Sequence, residues 1–415
     1  MRPVAAQIMS RHDAIESITS NWEACVAIAR NGTLLGFGNS YAGGKIGTDA
    51  RSLMSTSTVR PTSVYHAPHI FGVLFSDGSQ VFSGQTKQWQ PKLDELDLSK
   101  VDTLFANRVW FAALMKDKTV KTWMRSDDHH TTKLPQTKID SSELINVVRI
   151  CSTTGAFAAL RADGSVVTWG QSKAGGFIGA ALDGVKEIVA TADAFSALKH
   201  DGTIVAWGNK QLGAVAPVKL TNVKRIYASR VSFAAVLADD TVVTWPLHKP
   251  RRDGFEDTST QVTKMCSSGM MFAAVTIDGH LATGDYGVSI YNNSKVRKWI
   301  YNNKLRDIYS SRVAFTAISD TEAITWALVD RYDISDPHDT WMWGISDIGG
   351  RPLRRVVSTD KNFLATNDTG DVVAWGLGAI IRRYAQSINN HQASIREAFR
   401  LATGLETEII PEPDP

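Results

Sequence analysis

Hydrophobic and polar positions along the chain recur in a unit of about 38 to 48 residues. Each unit holds a short apolar run, an Asp-Gly turn or a close variant of it, and a second run rich in β-branched and aromatic residues. The clearest copies are residues 156–170 and 194–208. Alternation of this kind around a glycine turn predicts β-hairpins rather than helical repeats.

The first aromatic or equivalent residue of each hairpin gives nine anchor positions. These anchors are Cys25, Phe71, Phe111, Phe157, Phe195, Phe233, Phe272, Phe315 and Phe363. An apolar residue lies seven positions before every anchor, which predicts a further strand and hence three to four strands per unit. A sheet of this size cannot bury both of its faces alone, so it stacks on its neighbours around an axis. We therefore predict an all-β fold, a single closed β-propeller of about nine blades.

Large aromatic residues return near the end of the third predicted strand. They are Trp123, Trp169, Trp207, Trp245, Trp326 and Trp375. Their regular phase favours a structural role in packing between blades, and a stacking surface for sugars or bases is the alternative.

The end of the chain has a different pattern. Apolar residues recur at helical spacing from Ile381 to Ala402, and Pro411 and Pro413 follow them. We predict that residues 1–376 form the propeller and that residues 377–415 form a C-terminal helix and a proline-rich tail. The helix either packs on the propeller or mediates oligomerisation.

Composition narrows the class of protein. The 415 residues are 43% hydrophobic and 21% charged, which excludes general disorder, and a net charge of +3 argues against nucleic acid as the partner. The sequence has neither an apolar run of about 18 residues nor a signal segment, so we predict a cytoplasmic protein outside the membrane and leave export by a non-classical route open.

Three scattered cysteines, Cys25, Cys151 and Cys266, are too few for a disulfide framework and are interpreted as small core residues.

Several motifs point to a known family. They are Phe-Ala-Ala-Leu at 157–160, Asp-Gly at 163–164, Thr-Trp-Gly at 168–170 and Gln-Leu-Gly at 211–213. The units resemble the repeats of the regulator of chromosome condensation family, most of all a bacterial-style divergent form, over residues 15–376. The resemblance implies a β-propeller.

The units also depart from that family. The histidine that usually precedes the second strand is replaced in all nine units, for example by Trp110, Ala156 and Ala194. Well-studied relatives are nucleotide-exchange factors for a small GTPase, and a similar propeller inhibits β-lactamases. Neither set of functional residues maps onto this chain, so the resemblance implies the fold without either activity.

Binding residues are expected in the loops, because the strands of a propeller are committed to packing. The longer connections are residues 39–63, 125–146, 246–261, 285–304 and 327–352. Arg108, Arg230 and Arg312 each lie three residues before an anchor, so they would share one rim. Such a rim suits a protein partner with an acidic surface, because guanidinium groups pair well with carboxylates. The alternative is that each arginine pairs with a neighbouring aspartate or a loop carbonyl.

Other charged tracts are weaker candidates. Residues 248–252, 295–299 and 351–355 are basic and are interpreted as solvated loop charge. Residues 127–130 (Asp-Asp-His-His) resemble a metal-binding tract only in composition, and the sequence has no motif of a nucleophile elbow, phosphate loop or zinc protease. We therefore predict no enzyme activity, no cofactor and no metal.

Three functions follow from these patterns. The leading hypothesis is a non-catalytic, protein-binding scaffold that uses one loop-rich face. The second is a propeller that binds carbohydrate or another ligand in microbial host interaction, and the third is activity similar to that of a guanine-nucleotide exchange factor.

Overall fold

The computed structural model describes most of the chain between residues 15 and 376. The described ranges are 15–20, 24–29, 32, 34–38, 59–67, 69–84, 93, 95–124, 136–137, 139–217, 220–246, 260–269, 271–284, 294–311, 314–328, 341–347, 353–358, 362–367 and 372–376. The predicted C-terminal helix, Arg312 and residues 127–130 lie outside these ranges.

The described residues form nine antiparallel sheets, one for each repeat. The strands are β1 (Ile15–Ser20), β2 (Ala24–Ala29) and β3 (Leu34–Gly38); β4 (Pro61–Ala67), β5 (Ile70–Phe75) and β6 (Gln80–Gly84); β7 (Val101–Ala106), β8 (Trp110–Met115) and β9 (Val120–Met124); β10 (Gln136–Thr137), β11 (Val147–Ser152), β12 (Ala156–Arg161) and β13 (Val166–Gln171); β14 (Val185–Ala190), β15 (Ala194–Lys199) and β16 (Ile204–Gly208); β17 (Val223–Ala228), β18 (Phe233–Leu237) and β19 (Val242–Trp245); β20 (Val262–Ser267), β21 (Phe272–Thr276) and β22 (Leu281–Gly284); β23 (Asp307–Ser310), β24 (Ala314–Ile318), β25 (Glu322–Leu328) and β26 (Trp341–Asp347); and β27 (Leu353–Ser358), β28 (Asn362–Asn367) and β29 (Val372–Gly376).

The prediction of an all-β chain built from repeats of three to four strands is confirmed. The chain divides into two compact units, residues 1–99 with 344–415 and residues 100–343. Closure into one ring of nine blades, and the boundary between a propeller and a tail at residue 376, stay predictions.

In the repeats whose hairpin connection the structure describes, a tight turn joins the second and third strands, and its chemistry explains the Asp-Gly motif. In one repeat the Asp163 carboxylate accepts hydrogen bonds from the backbone N–H of Ser165 at 2.9 Å and from its hydroxyl group at 2.7 Å. Gly164 between them has a φ of 83°, which glycine adopts without strain. Lys118 and Asp240 take the same left-handed conformation in two of the repeats that lack the glycine.

Backbone hydrogen bonds at these turns also connect one repeat to the next in the unit of residues 100–343. The N–H group of Val185 donates to the carbonyl oxygen of Gly164 at 2.9 Å, and that of Val223 donates to Gly202 at 3.0 Å. The first strand of a repeat therefore begins at the hairpin turn of the repeat before it.

The core lies between neighbouring sheets. Phe195 and Trp207 of one repeat pack with Ala156, Leu160 and other apolar residues of the preceding repeat. The anchors with described side chains are fully buried, and burial of one such phenylalanine stabilises the fold by about 1.5–3 kcal/mol. Phe157, Phe233 and Phe272 likewise pack with apolar residues of the repeat before them, so within residues 100–343 the repeat in sequence is also a repeat in packing.

The longer connections hold more regular structure than predicted. Residues 285–304, expected to be a loop, contain helix α1 (Ser294–Asn302), while residues 125–146 and 327–352 contain β10 and β26. The basic tract 295–299 therefore lies in a helix rather than in a solvated loop, and its Trp299 is buried and donates a 2.6 Å hydrogen bond to the carboxylate of Glu322. Short 3-10 turns occupy Leu98–Lys100, Ser141–Glu143, Ser172–Ala174 and Lys210–Leu212.

The described helical segments include none of the length and apolar character needed to cross a membrane.

Candidate functional site

Strand pairing brings two kinds of connection to the same end of each sheet. Ala156, where the second strand begins, pairs with Gly170 near the end of the third strand, and Ala194 pairs with Gly208 in the same way. The turn from the first to the second strand and the connection after the third strand are therefore neighbours. We call this end, in the unit of residues 100–343, the loop end.

A chain of backbone hydrogen bonds runs through the loop end across five successive repeats. The N–H groups of Arg108, Thr154, Ala192 and Arg230 donate to the carbonyl oxygens of Thr154, Ala192, Arg230 and Gly269, over 3.1, 2.6, 2.8 and 2.9 Å respectively. All five residues lie three positions before their anchors, which is the phase identified in the sequence for the arginines. We call this series of hydrogen bonds the backbone belt, and it holds the turns of successive repeats side by side.

Four of these five turns are braced from within by a polar side chain four residues before the anchor, which is Asn107, Thr153, Thr191 or Ser229. In one repeat the Thr153 hydroxyl group accepts a 3.0 Å hydrogen bond from the N–H of Ala156 and donates to the carbonyl oxygen of Ala174 at 2.9 Å. Thr191 makes the equivalent contacts with Ala194 and Leu212. No role was predicted for this position from the sequence, although a small polar residue recurs there, as Asn107, Thr153, Thr191, Ser229, Ser268 and Ser311.

The arginines themselves are exposed. Arg108 and Arg230 lie on the belt, and neither guanidinium group has an ion pair or hydrogen bond to another residue in the described ranges. Asp193, the acidic residue on the neighbouring turn, instead accepts a hydrogen bond from the Thr154 hydroxyl group. The structure thus places two of the three predicted rim arginines on one belt, with their charged groups directed to solvent.

The recurring tryptophans occupy the interior of the sheets. Trp169 stacks on its cross-strand partner Phe157 with ring centroids 5.2 Å apart, and the same pairing recurs for Trp123, Trp207, Trp245 and Trp326. Trp169, Trp207, Trp245 and Trp326 are buried and Trp123 is half-buried. Trp375 lies in β29, and its side chain is outside the description. The four buried rings are not available to stack on a ligand.

The first strands of neighbouring repeats carry alternating charges that pair with one another. Arg149 forms an ion pair with Glu187 of the next repeat at 3.6 Å, and Lys264 forms one with Asp307. Lys264 also lies 4.9 Å from the centroid of the Tyr309 ring. These charges are satisfied within the fold, which distinguishes them from the arginines of the belt.

Two cysteines lie on the same first strands. The Cys151 thiol donates to the carbonyl oxygen of Ile188 at 3.0 Å, and burial raises its pKa to about 11. Burial likewise raises the pKa of Cys266 to about 12. Both thiols are therefore protonated at neutral pH, and neither is an activated nucleophile.

Titratable side chains in the described part of the chain do not gather into a metal site. No group of three or more His, Cys, Asp or Glu residues within those ranges is arranged to hold an ion.

No protein-family model matches the sequence, and no curated protein matches it. Among solved structures, the WD40 ectodomain of the Arabidopsis thaliana receptor kinase ACR4 is 12% identical, with 65% of this chain and 98% of that chain covered and a TM-score of 0.36. Prp20p from Saccharomyces cerevisiae is 16% identical, with 68% and 73% covered and a TM-score of 0.37. Human WBSCR16 is 13% identical, with 60% and 84% covered and a TM-score of 0.36. Similarities at this level do not assign the chain to a family.

Proposed function

We propose that this chain is a non-catalytic protein-binding scaffold, and that its loop end recognises an acidic surface on a partner protein. The observation that carries the proposal is the position of Arg108 and Arg230. Both are held on one hydrogen-bonded belt, and both guanidinium groups are exposed and lack a partner among the described residues. A guanidinium group that is fixed at its backbone and free at its tip is suited to pair with a carboxylate.

The chemistry of the remaining polar groups supports binding rather than catalysis. The described thiols have raised pKa values, and the Asp193 carboxylate, on the turn beside the belt, already accepts a hydrogen bond from the Thr154 hydroxyl group. The carbohydrate alternative was based on the recurring tryptophans as a stacking surface, whereas Trp169, Trp207 and Trp245 are buried. A partner protein therefore fits the loop end better than a sugar.

Partner capture with the intact chain tests the proposal. The captured proteins are identified and quantified by mass spectrometry for the wild type and for Arg108→Ala/Arg230→Ala, with Arg312→Ala added as a third change. We expect the variants to lose proteins that the wild type retains, and we expect those proteins to be released as salt is raised, because exposed ion pairs are screened.

Arg225→Ala is the matched control. Arg225 is also exposed and belongs to the same repeat as Arg230, but it lies on strand β17 and not on the belt. A captured set that is unchanged by the double and triple variants, or that is reduced equally by Arg225→Ala, contradicts a binding role for the belt.

A further inference from the structure

Two exposed apolar residues occupy the same position in neighbouring repeats at the loop end. Phe177 follows Gly175 by two residues, and Val215 follows Gly213 by two residues. Their exposed fractions are 62% and 59%. An apolar side chain is thus exposed to solvent at the same position in two neighbouring repeats. Packing within the repeats does not require this exposure.

The other apolar residues of these two connections do pack. In the first connection Ala174, Ile178 and Leu182 belong to the core cluster around Phe195. In the second, the residues that pack against the cluster around Phe233 include Leu212, Ala214, Ala216 and Leu220. The connections are therefore anchored on both sides of Phe177 and of Val215, while these two side chains stay outside the clusters.

The backbone around the two residues is held in place by the next repeat. The indole N–H of Trp207 donates to the carbonyl oxygen of Gly175 at 3.1 Å, and that of Trp245 donates to Gly213 at 3.1 Å. Each glycine has a left-handed φ and caps a short 3-10 turn. Because the connection is already ordered, a ligand that contacts Phe177 or Val215 does not have to order it.

The exposed charges of the two connections near the loop end are basic, and Asp183 of the first connection lies toward the opposite end of the sheet, two residues before Val185, whose N–H donates to Gly164 of the hairpin turn. Residues 171–182 and 209–221 contain three lysines, Lys173, Lys210 and Lys219, and neither segment contains an aspartate or a glutamate. Lys173 and Lys210 are exposed in the 3-10 turns that precede Phe177 and Val215. Arg230 lies on the belt at the same end of the sheets.

We propose that Phe177 and Val215 form a docking surface for a peptide segment of a partner protein that carries both acidic and apolar side chains. The apolar side chains of the segment would cover Phe177 and Val215, and its carboxylates would face Lys173 and Lys210. This inference rests on the proposed function, because it places the apolar part of the interface beside the arginines of the belt.

The probe is a phage-displayed library of random 16-residue peptides, panned against the intact chain. One enriched peptide is synthesised with a fluorophore, and its binding to each variant is measured by fluorescence anisotropy. We expect enriched peptides to combine Asp or Glu with Leu, Ile or Phe. We expect Phe177→Ser/Val215→Ser to weaken binding by about tenfold or more, as loss of central apolar contacts does at other interfaces.

Ile277→Ser is the matched control. Ile277 is exposed to 65% and lies in a hairpin turn, at the opposite end of its sheet from the loop end. Its substitution removes a similar exposed apolar group and is expected to leave binding unchanged. Circular dichroism and the denaturation midpoint of each variant show that the fold is retained, since none of the substituted side chains is buried.

Four results of the peptide experiment overturn the inference. They are a library that yields no binder, enriched peptides without acidic residues, a double variant that binds as the wild type does, and an Ile277→Ser variant that is weakened equally. A concentration-dependent dimer in sedimentation that Phe177→Ser/Val215→Ser abolishes also overturns it, because the occupant is then a second copy of the chain. If Arg108→Ala/Arg230→Ala weakens binding and Phe177→Ser/Val215→Ser does not, the proposed function stands and this inference fails.

Discussion

The indole N–H of Trp207 donates a 3.1 Å hydrogen bond to the carbonyl oxygen of Gly175, which lies 32 residues earlier in the preceding repeat. Through this bond a residue buried in one sheet fixes the connection that leaves the previous sheet. The equivalent bond from Trp245 to Gly213 has the same length and the same separation along the chain. Trp207 and Trp245 thus hold the connections of the loop end in place while their own rings stay buried.

The close approach at Gly175 gives the first prediction. A Cβ atom at this position would lie 2.6 Å from Cδ2 of Phe195, and the φ of 91° is one that other residues adopt with strain. We expect Gly175→Ala to lower the free energy of unfolding by about 2–4 kcal/mol, because it combines backbone strain with overpacking. Urea denaturation followed by tryptophan fluorescence measures the change.

Gly179→Ala is the control for that substitution. Gly179 lies in the same connection with a φ of 82°, but an added Cβ would meet only Phe177 Cε1 at 3.8 Å. Gly179→Ala should therefore lower the free energy of unfolding through backbone strain alone, by about 1–2 kcal/mol. Equal losses from Gly175→Ala and Gly179→Ala would show that the packing of Phe195 against Gly175 contributes nothing.

The hairpin turns predict how stability depends on pH. Hydrogen bonds from Thr203 lower the pKa of Asp201 below its ordinary value, and those from Ser165 and Thr241 do the same for Asp163 and Asp239. A carboxyl group whose pKa is lower in the folded state stabilises that state above its unfolded pKa, near 3.9, and loses this contribution as pH falls through the folded pKa. The chain should therefore lose stability below about pH 4.

Asp163→Asn/Asp201→Asn/Asp239→Asn tests this dependence, because asparagine keeps an acceptor oxygen but does not titrate. The wild type should exceed the variant in denaturation midpoint at pH 7, and the difference should shrink as pH falls from about 4 toward 2. A difference that is constant over this range would mean that the charge of the three carboxylates does not stabilise the turns.

The buried thiols predict slow alkylation. With a pKa of about 11, only about 0.1% of Cys151 is thiolate at pH 8, and the fraction for Cys266, with a pKa of about 12, is smaller. In the native chain we expect iodoacetamide to modify Cys151 and Cys266 much more slowly than in urea, as measured by mass spectrometry of the peptide that holds each residue. Equal rates in both conditions would contradict the burial of these strands.

The sequence predicts the elements that depend on local chemistry. The hairpins around Asp163 and Asp201 follow from alternating side chains and from a turn motif, and both kinds of signal lie within about 15 residues. The phase of Arg108 and Arg230 also followed from the repeat alone, and the structure places both on the backbone belt.

The elements that were missed depend on distant partners. Helix α1 is docked through Trp299 on Glu322, 23 residues later. Strand β10 exists because Gln136 pairs with Gln171 of another strand. The exposure of Phe177 could not be predicted for a different reason. An apolar residue in this connection can be recognised as exposed only once its neighbours are known to be buried. Local periodicity carries no information on these two contacts or on the exposure of Phe177.

The bracing side chains of the loop end give the last prediction. Thr153 Oγ1 accepts a hydrogen bond from the N–H of Ala156 and donates one to the carbonyl oxygen of Ala174, and Thr153 is buried. Thr153→Val keeps the shape but leaves these backbone groups without the hydroxyl group, so we expect a loss of about 1–3 kcal/mol in the free energy of unfolding. Thr153→Ser retains the hydroxyl group and should lose less than about half of that. Because Thr153 is adjacent to Thr154 on the belt, the valine variant should also speed amide hydrogen exchange at Thr154 and Ala156, whereas the serine variant should not. Exchange that is equally slow in both variants would mean that the belt holds the turn without help from the side chain.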